Sequence, residues 1–208
     1  MTHLVLRAAM LAVMSVCVGL WPTIAMAQQV GQASAIKNAA FQQAPAQAQA
    51  PLNLQDPIIW KANLSTPDNG ALEVKFLDDS RLSMGANSTL TIDEFSYSGP
   101  GGAGQQTLQL TKGLFRFVSG QVPKDKVKLD TPAVSIGIRG TILRAQVDTS
   151  GRGQVSVDFG PNGEVYEVVL ISKKTGKVLV LSSGQKIGFD GDGVFEGVTD
   201  GTIEGCGP

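Results

Sequence analysis

The chain has 208 residues, 42% of them hydrophobic and 17% charged, which falls inside the ordinary globular range. Its formal net charge is −1, so it lacks the strongly basic balance with which nucleic-acid binders neutralise phosphates.

Met1 to Arg7 carries one positive charge, Ala8 to Leu20 is an apolar run, and Ala25-Met26-Ala27 follows. Charge, short apolar core and an A-x-A end make the grammar of a secretory signal peptide over residues 1–27, with cleavage after Ala27. The apolar core is shorter than the roughly 20 residues a membrane span needs. Cys17 lies in mid-core behind Val16, not behind the small residue that lipid attachment requires, and reads as filler. The expected location is the periplasm of a Gram-negative bacterium, or the exterior, with no transmembrane segment in the mature chain.

Cleavage removes His3 and Cys17, leaving no histidine and one cysteine, Cys206. An internal disulfide is then excluded, as are Ser-His-Asp and Cys-His catalytic arrangements and most zinc sites. Cys206 reads either as a tolerated terminal thiol or as the donor of an intermolecular disulfide.

Residues 28–55 are rich in Ala, Gln and Pro and poor in large apolar residues. Such a segment buries too little surface to offset its ordering entropy, which predicts a disordered linker with room for a short helix around Ile36–Phe41. From about residue 56 the texture becomes short alternating apolar runs. Leu72, Val74 and Phe76 alternate with Glu73 and Lys75, the period of a half-buried strand. Similar runs occur at Leu82/Met84, Leu90/Ile92, Leu108/Leu110, Phe115/Phe117, Val127/Leu129 and Val134/Ile136/Ile138. They continue through Leu143/Ala145/Val147, Val155/Val157/Phe159, Val165–Ile171, Val178–Leu181 and Ile187/Phe189. Turn signals such as Asp68-Asn69-Gly70 and Pro161-Asn162-Gly163 punctuate them. The expectation is an all-β domain over residues 56–190, a β-solenoid or twisted roll, with a jelly-roll-like sandwich as the alternative. Residues 191–208 read as an acidic, Gly-rich tail.

Several constellations only resemble chemistry. Ser183-Gly184-Gln185-Lys186 and Lys174-Thr175-Gly176 match two parts of the serine penicillin-recognising signature, but in reversed order and without the helix that the serine should open. Asp78-Asp79 and Asp93-Glu94 are adjacent acids, which a strand would point to opposite faces; only a cross-pair could serve a glycosidase. Asp190-Gly191-Asp192-Gly193 departs from a calcium loop at Val194 and Phe195. No cofactor or metal site is expected.

Two stretches carry a family resemblance. Phe76-Leu77-Asp78-Asp79-Ser80-Arg81-Leu82-Ser83-Met84-Gly85-Ala86-Asn87-Ser88-Thr89-Leu90-Thr91-Ile92 resembles the strand–turn–strand pattern of the FecR family, with one glycine missing after Asp79. Lys112-Gly113-Leu114-Phe115-Arg116-Phe117, and then Thr131-Pro132-Ala133-Val134-Ser135-Ile136-Gly137-Ile138-Arg139-Gly140-Thr141, resemble two further segments; Leu181-Ser182-Ser183-Gly184-Gln185 resembles the closing one. The resemblance runs from about Ala71 to Gln185.

It implies a periplasmic, non-catalytic sensor or binding module whose partner is an envelope protein, either an outer-membrane receptor or an inner-membrane regulator. The cytoplasmic anti-sigma segment and membrane helix of the best-known members are replaced here by signal peptide and linker. Candidate interaction or structural residues are Arg116, Arg139, Gly140, Thr141, Asn87 and Tyr97. Of these, an arginine facing solvent would suit an anion. A structural or adhesive envelope protein is the first alternative, and a carboxylate-based glycan-acting enzyme the second.

Overall fold

The computed structural model describes residues 28–140 and 142–205. The signal peptide expected over 1–27, as well as Thr141 and Cys206, lies outside the described residues. The rest is all-β, as expected.

The strands are β1 (Gln29–Lys37), β2 (Phe41–Gln43), β3 (Ala50–Pro51), β4 (Pro57–Ile59), β5 (Asn63–Ser65), β6 (Ala71–Phe76), β7 (Arg81–Met84), β8 (Thr89–Tyr97) and β9 (Gly104–Val118). After a 3-10 turn at Lys124–Lys126 come β10 (Val127–Asp130), β11 (Val134–Ile138), β12 (Ile142–Val147), β13 (Gly153–Asp158), β14 (Glu167–Ser172), β15 (Val178–Ser182), β16 (Gln185–Phe189) and β17 (Thr199–Asp200). No helix among the described residues is long and apolar enough to cross a membrane.

Hydrogen-bond register sorts the strands into two layers. Sheet I runs β4-β1-β6-β7-β9-β12-β13-β16-β17. Sheet II runs β3-β2-β5-β8-β9-β10-β11-β14-β15. Strand β9 belongs to both: Gly104–Lys112 pairs with β8 in sheet II, and Gly113–Val118 pairs with β12 in sheet I. Gly113 makes the corner at φ 116, a left-handed conformation that glycine adopts without steric penalty. From β6 onward the chain lays down two strands in one sheet, then two in the other, except that Gly113–Val118 enters sheet I as a single segment. The result advances like a solenoid but pairs antiparallel, apart from β9 with β10, and is a twisted roll of two facing layers.

Alternation decides what lies between the layers. Leu72, Val74, Phe76, Leu82, Met84, Phe115, Phe117, Leu143 and Val155 point inward from sheet I; Leu90, Ile92, Leu108, Leu129, Ile136 and Leu170 point inward from sheet II. Phe76 stacks on Phe95 across the layers, with ring centroids 5.6 Å apart. Each such side chain contributes roughly 1.5–3 kcal/mol by leaving water. Of the expected runs, Phe159 and Val165 lie outside strands and are exposed, and Ile171, Val178 and Val180 are in strands but exposed.

The stretch 28–55, expected as a linker, is instead ordered as β1, β2 and β3, and no helix spans Ile36–Phe41. The physical reason is that this segment does not need a core of its own. Its small residues pack onto apolar surface supplied by others: Val30, Ala33 and Ala40 are buried, and Gly31 lies so close to β6 that a Cβ there would sit 2.6 Å from the Lys75 carbonyl. Backbone pairing with β6 and β4 supplies the rest, and that pairing is indifferent to side-chain identity. The acidic tail is likewise anchored, by a Phe189–Phe195 bridge and by the burial of Ile203.

Candidate functional site

The outward face of sheet I carries a row of polar residues set by strand register. Reading across β6, β7, β9, β12, β13 and β16, the directly opposed residues are Glu73, Ser83, Arg116, Arg144, Ser156 and Lys186. Two arginines therefore stand directly opposite each other, a placement that is unfavourable unless negative charge compensates it. Arg144 has that compensation: its Nε lies 3.0 Å from Asp158 Oδ2, and its Nη1 donates to the Ile203 carbonyl at 3.0 Å. Arg116 is half-buried and makes no ion pair or hydrogen bond among the described residues.

Beside Arg116 lies a groove of about 530 Å³, with Ala35 and Ile36 of β1, Glu73 of β6, and Ser83, Met84 and Gly85 among its walls. Ser83 faces outward yet is only 7% exposed, and its hydroxyl makes no hydrogen bond among the described residues. Glu73 is occupied: Ser34 Oγ donates to it at 2.8 Å and Arg81 stands 3.6 Å away. The segment after β17 straps across this face. The Ile203 N–H donates to Ser156 Oγ at 3.0 Å, and Gly205 lines the groove beside Leu114.

The other sequence candidates are dispersed. Arg139 is exposed at the end of β11, where its N–H donates to the Glu167 carbonyl. Gly140 follows at φ 91, with Tyr166 near the position a Cβ would take. Asn87 occupies a left-handed position, φ 53, in the exposed β7–β8 turn. Tyr97 ends β8, and its hydroxyl donates to Gln121 Oε1 at 2.9 Å; burial and the nearby Asp78 and Asp79 charges push its pKa up. No hydrogen bond or ion pair among the described residues joins any two of these side chains, so the structure does not gather them into one site.

Residues 62–161 match the family model described as FecR protein. The chain carries a FecR domain. A crystal structure of a candidate anti-sigma factor from Parabacteroides distasonis shares the fold, with a TM-score of 0.50 and 12% identity. The likeness covers 66% of this chain and 59% of that one, so the chain spans about three fifths of its neighbour's length. No curated protein matches the sequence.

The FecR match takes in β5 to β13; β1–β4 and β14–β17 lie outside it yet complete the same two sheets. Within the FecR domain the Asp78-Asp79-Ser80 turn divides its labour. Asp78 is fully buried, and its carboxylate accepts from the Ser80 hydroxyl at 2.6 Å, the Ser80 N–H at 3.2 Å and the Val122 N–H at 3.2 Å. Asp79 supplies the left-handed residue of the turn at φ 64 and pairs with Lys75 at 2.8 Å outside. Sequence reading marked this pattern as a motif without separating the two acids; the missing glycine was the available signal, since Asp79 takes over the left-handed position.

Two other acids come together in sheet II. Gln109 Nε2 donates to both Asp93 Oδ2, at 3.5 Å, and Asp130 Oδ2, at 3.4 Å. Asp130 is also held by Lys128 at 2.7 Å, Lys173 at 3.7 Å and the Ser135 hydroxyl. The hydrogen bond from Lys61 holds Asp93 below the usual carboxylate range, the opposite of what a general acid requires. The Asp190 loop is an Asx turn, its carboxylate accepting from the Asp192 and Val194 N–H groups. No group of three or more metal-ligating side chains occurs among the described residues.

Proposed function

We propose that this protein is an exported, non-catalytic FecR-type module that binds a protein of the cell envelope and takes part in signalling. The observation that carries the reading is the FecR match over residues 62–161. The shared fold with a candidate anti-sigma factor accords with a regulatory role. Export to the periplasm rests on the charge, apolar core and Ala25-Met26-Ala27 end of the first 27 residues. The partner is an outer-membrane receptor or an inner-membrane regulator, and the groove beside Arg116 is the surface offered to it.

The test is crosslinking of the tagged protein in its native host, followed by mass spectrometry of the captured species. Recovery of an outer-membrane receptor or inner-membrane regulator supports the reading. Recovery from the cytoplasmic fraction, or turnover of an envelope glycan by the purified protein, overturns it.

A structural role is favoured by one feature. Strand β15 ends sheet II with the uncharged sequence Val178-Leu179-Val180-Leu181-Ser182, and Ile171, Val178 and Val180 are exposed beside its open edge. Edges without charge or proline pair readily with another copy. Concentration-dependent self-association, abolished by Val180→Lys, would select this role over the signalling one.

A further inference from the structure

We infer that Arg116 and Ser83 form a binding site for the carboxylate of an acidic peptide segment, whose apolar neighbours lie in the adjoining groove. The inference rests on the protein-binding reading above and gives that partner its chemistry.

Charge comes first. Arg144 opposes Arg116 across the β9–β12 pair, and its fork is already committed to Asp158 and the Ile203 carbonyl. Glu73, the acid in the same row, is held by Ser34 and Arg81. What remains is one guanidinium without a counter-charge among the described residues, half-buried in a sheet face. Burial weakens the access of a guanidinium to water without supplying a substitute.

Geometry comes second. Ser83 stands directly opposite Arg116 on the other side, across the β7–β9 pair. Directly opposed side chains on antiparallel strands lie about 4.5–5.5 Å apart at Cβ. One oxyanion can therefore take N–H donors from Arg116 and the hydroxyl of Ser83 together. A carboxylate matches the planar fork of the Arg116 guanidinium, and Lys186 of the same row and Lys37 of the groove wall likewise make no ion pair among the described residues.

The groove supplies the rest of the ligand's description. Ser83 is part of its wall; Ala35, Ile36 and Ala71 contribute apolar surface, and Lys37, Asp68 and Glu73 also line it. Arg116 stands across the β7–β9 pair from the Ser83 wall of a groove of mixed lining, which fits a glutamate or aspartate flanked by aliphatic residues. Main-chain Ile203–Gly205 borders the same face, which limits the opening to an extended segment.

The experiment is calorimetric titration of the purified full chain with an acetylated, amidated peptide of alternating leucine and glutamate, and with its leucine–glutamine counterpart. The glutamyl peptide should bind at least tenfold more tightly at low salt, and Arg116→Gln should remove that difference while Arg139→Gln retains it. Equal affinity for the two peptides, or a difference that survives Arg116→Gln, overturns the site. Inorganic phosphate binding more tightly than the glutamyl peptide overturns the carboxylate assignment. Should Arg116→Gln not fold, the Arg116 Nε–H resonance of the unsubstituted protein reads the same contact: it must shift with the glutamyl peptide and not with the glutaminyl one. Peptide binding without capture of an envelope protein in the host would defeat the signalling reading and leave the site standing; capture without peptide discrimination would do the reverse.

Discussion

The carboxylate of Asp78 reaches the main-chain N–H of Val122, 3.2 Å away and 44 residues later in the chain. It also holds both donors of Ser80, so one buried acid joins the β6–β7 turn to the connection that follows β9. Next to it, Gly120 approaches so closely that a Cβ would lie 2.2 Å from the Asp78 carbonyl.

Replacing Asp78 by alanine leaves these donors buried without an acceptor. The expected loss is about 3–5 kcal/mol, since hydrogen bonds to a charged group are the strong ones and orphaned donors add their desolvation cost. Asp78→Asn keeps an acceptor and should lose about 1–3 kcal/mol. Urea unfolding, with the midpoint shifting at constant slope, distinguishes the two.

Gly113 and Gly163 share a left-handed backbone but differ in surroundings. A Cβ at Gly113 would fall 2.1 Å from Ser88 Oγ and 2.4 Å from Ser88 Cα, whereas at Gly163 nothing lies within 4 Å. Gly113→Ala should therefore cost about 2–4 kcal/mol and Gly163→Ala about 1 kcal/mol, because only the first adds a clash to the backbone strain. Thermal unfolding of the two variants side by side checks the ranking.

A chain starting at residue 28 should unfold in one cooperative transition, and a chain starting at residue 56 should not. The shorter chain uncovers the outer edge of β6 and removes Val30 and Ala33 from the core. Calorimetry of both chains decides between an integral strand and a linker.

Acid should weaken the fold in a defined window. Hydrogen bonds from Ser150 hold Asp148 below its ordinary value of 3.8, those from Lys75 do the same for Asp79, and those from Asn162 lower Glu164 from 4.5. A lowered folded value means that the unfolded chain takes up protons first. The contribution is complete above about pH 4.5 and is lost as pH falls through the folded values. Asp148→Asn should flatten the fall of the melting temperature as pH drops below the ordinary carboxylate value of 3.8, while leaving its value at pH 7 less affected than that of Asp78→Ala.

Ile203 fastens the strap through its burial and its N–H bond to Ser156. Ile203→Ser should release residues 201–205 to proteolysis with a local loss of about 1–3 kcal/mol, the worth of one buried aliphatic side chain. Mass spectrometry of the limited digest shows whether cleavage moves to this segment before the sheets open.

By itself the sequence determined the strand content and the inward faces, because a period of two needs only local alternation. Leu72/Val74/Phe76 and Phe115/Phe117 were legible for that reason, as was the FecR pattern, whose turns depend on neighbours within a few residues. Tertiary structure alone decided the order of Gln29–Lys37. Its stability comes from backbone pairing and from apolar surface on β6 and β4, and no composition rule reads a partner 40 residues away. The same holds for Arg116. Its place in β9 was visible in the sequence, but its lack of a counter-charge among the described residues depends on Arg144, Glu73 and Asp158, and strand register, a long-range property, is what sets them around it.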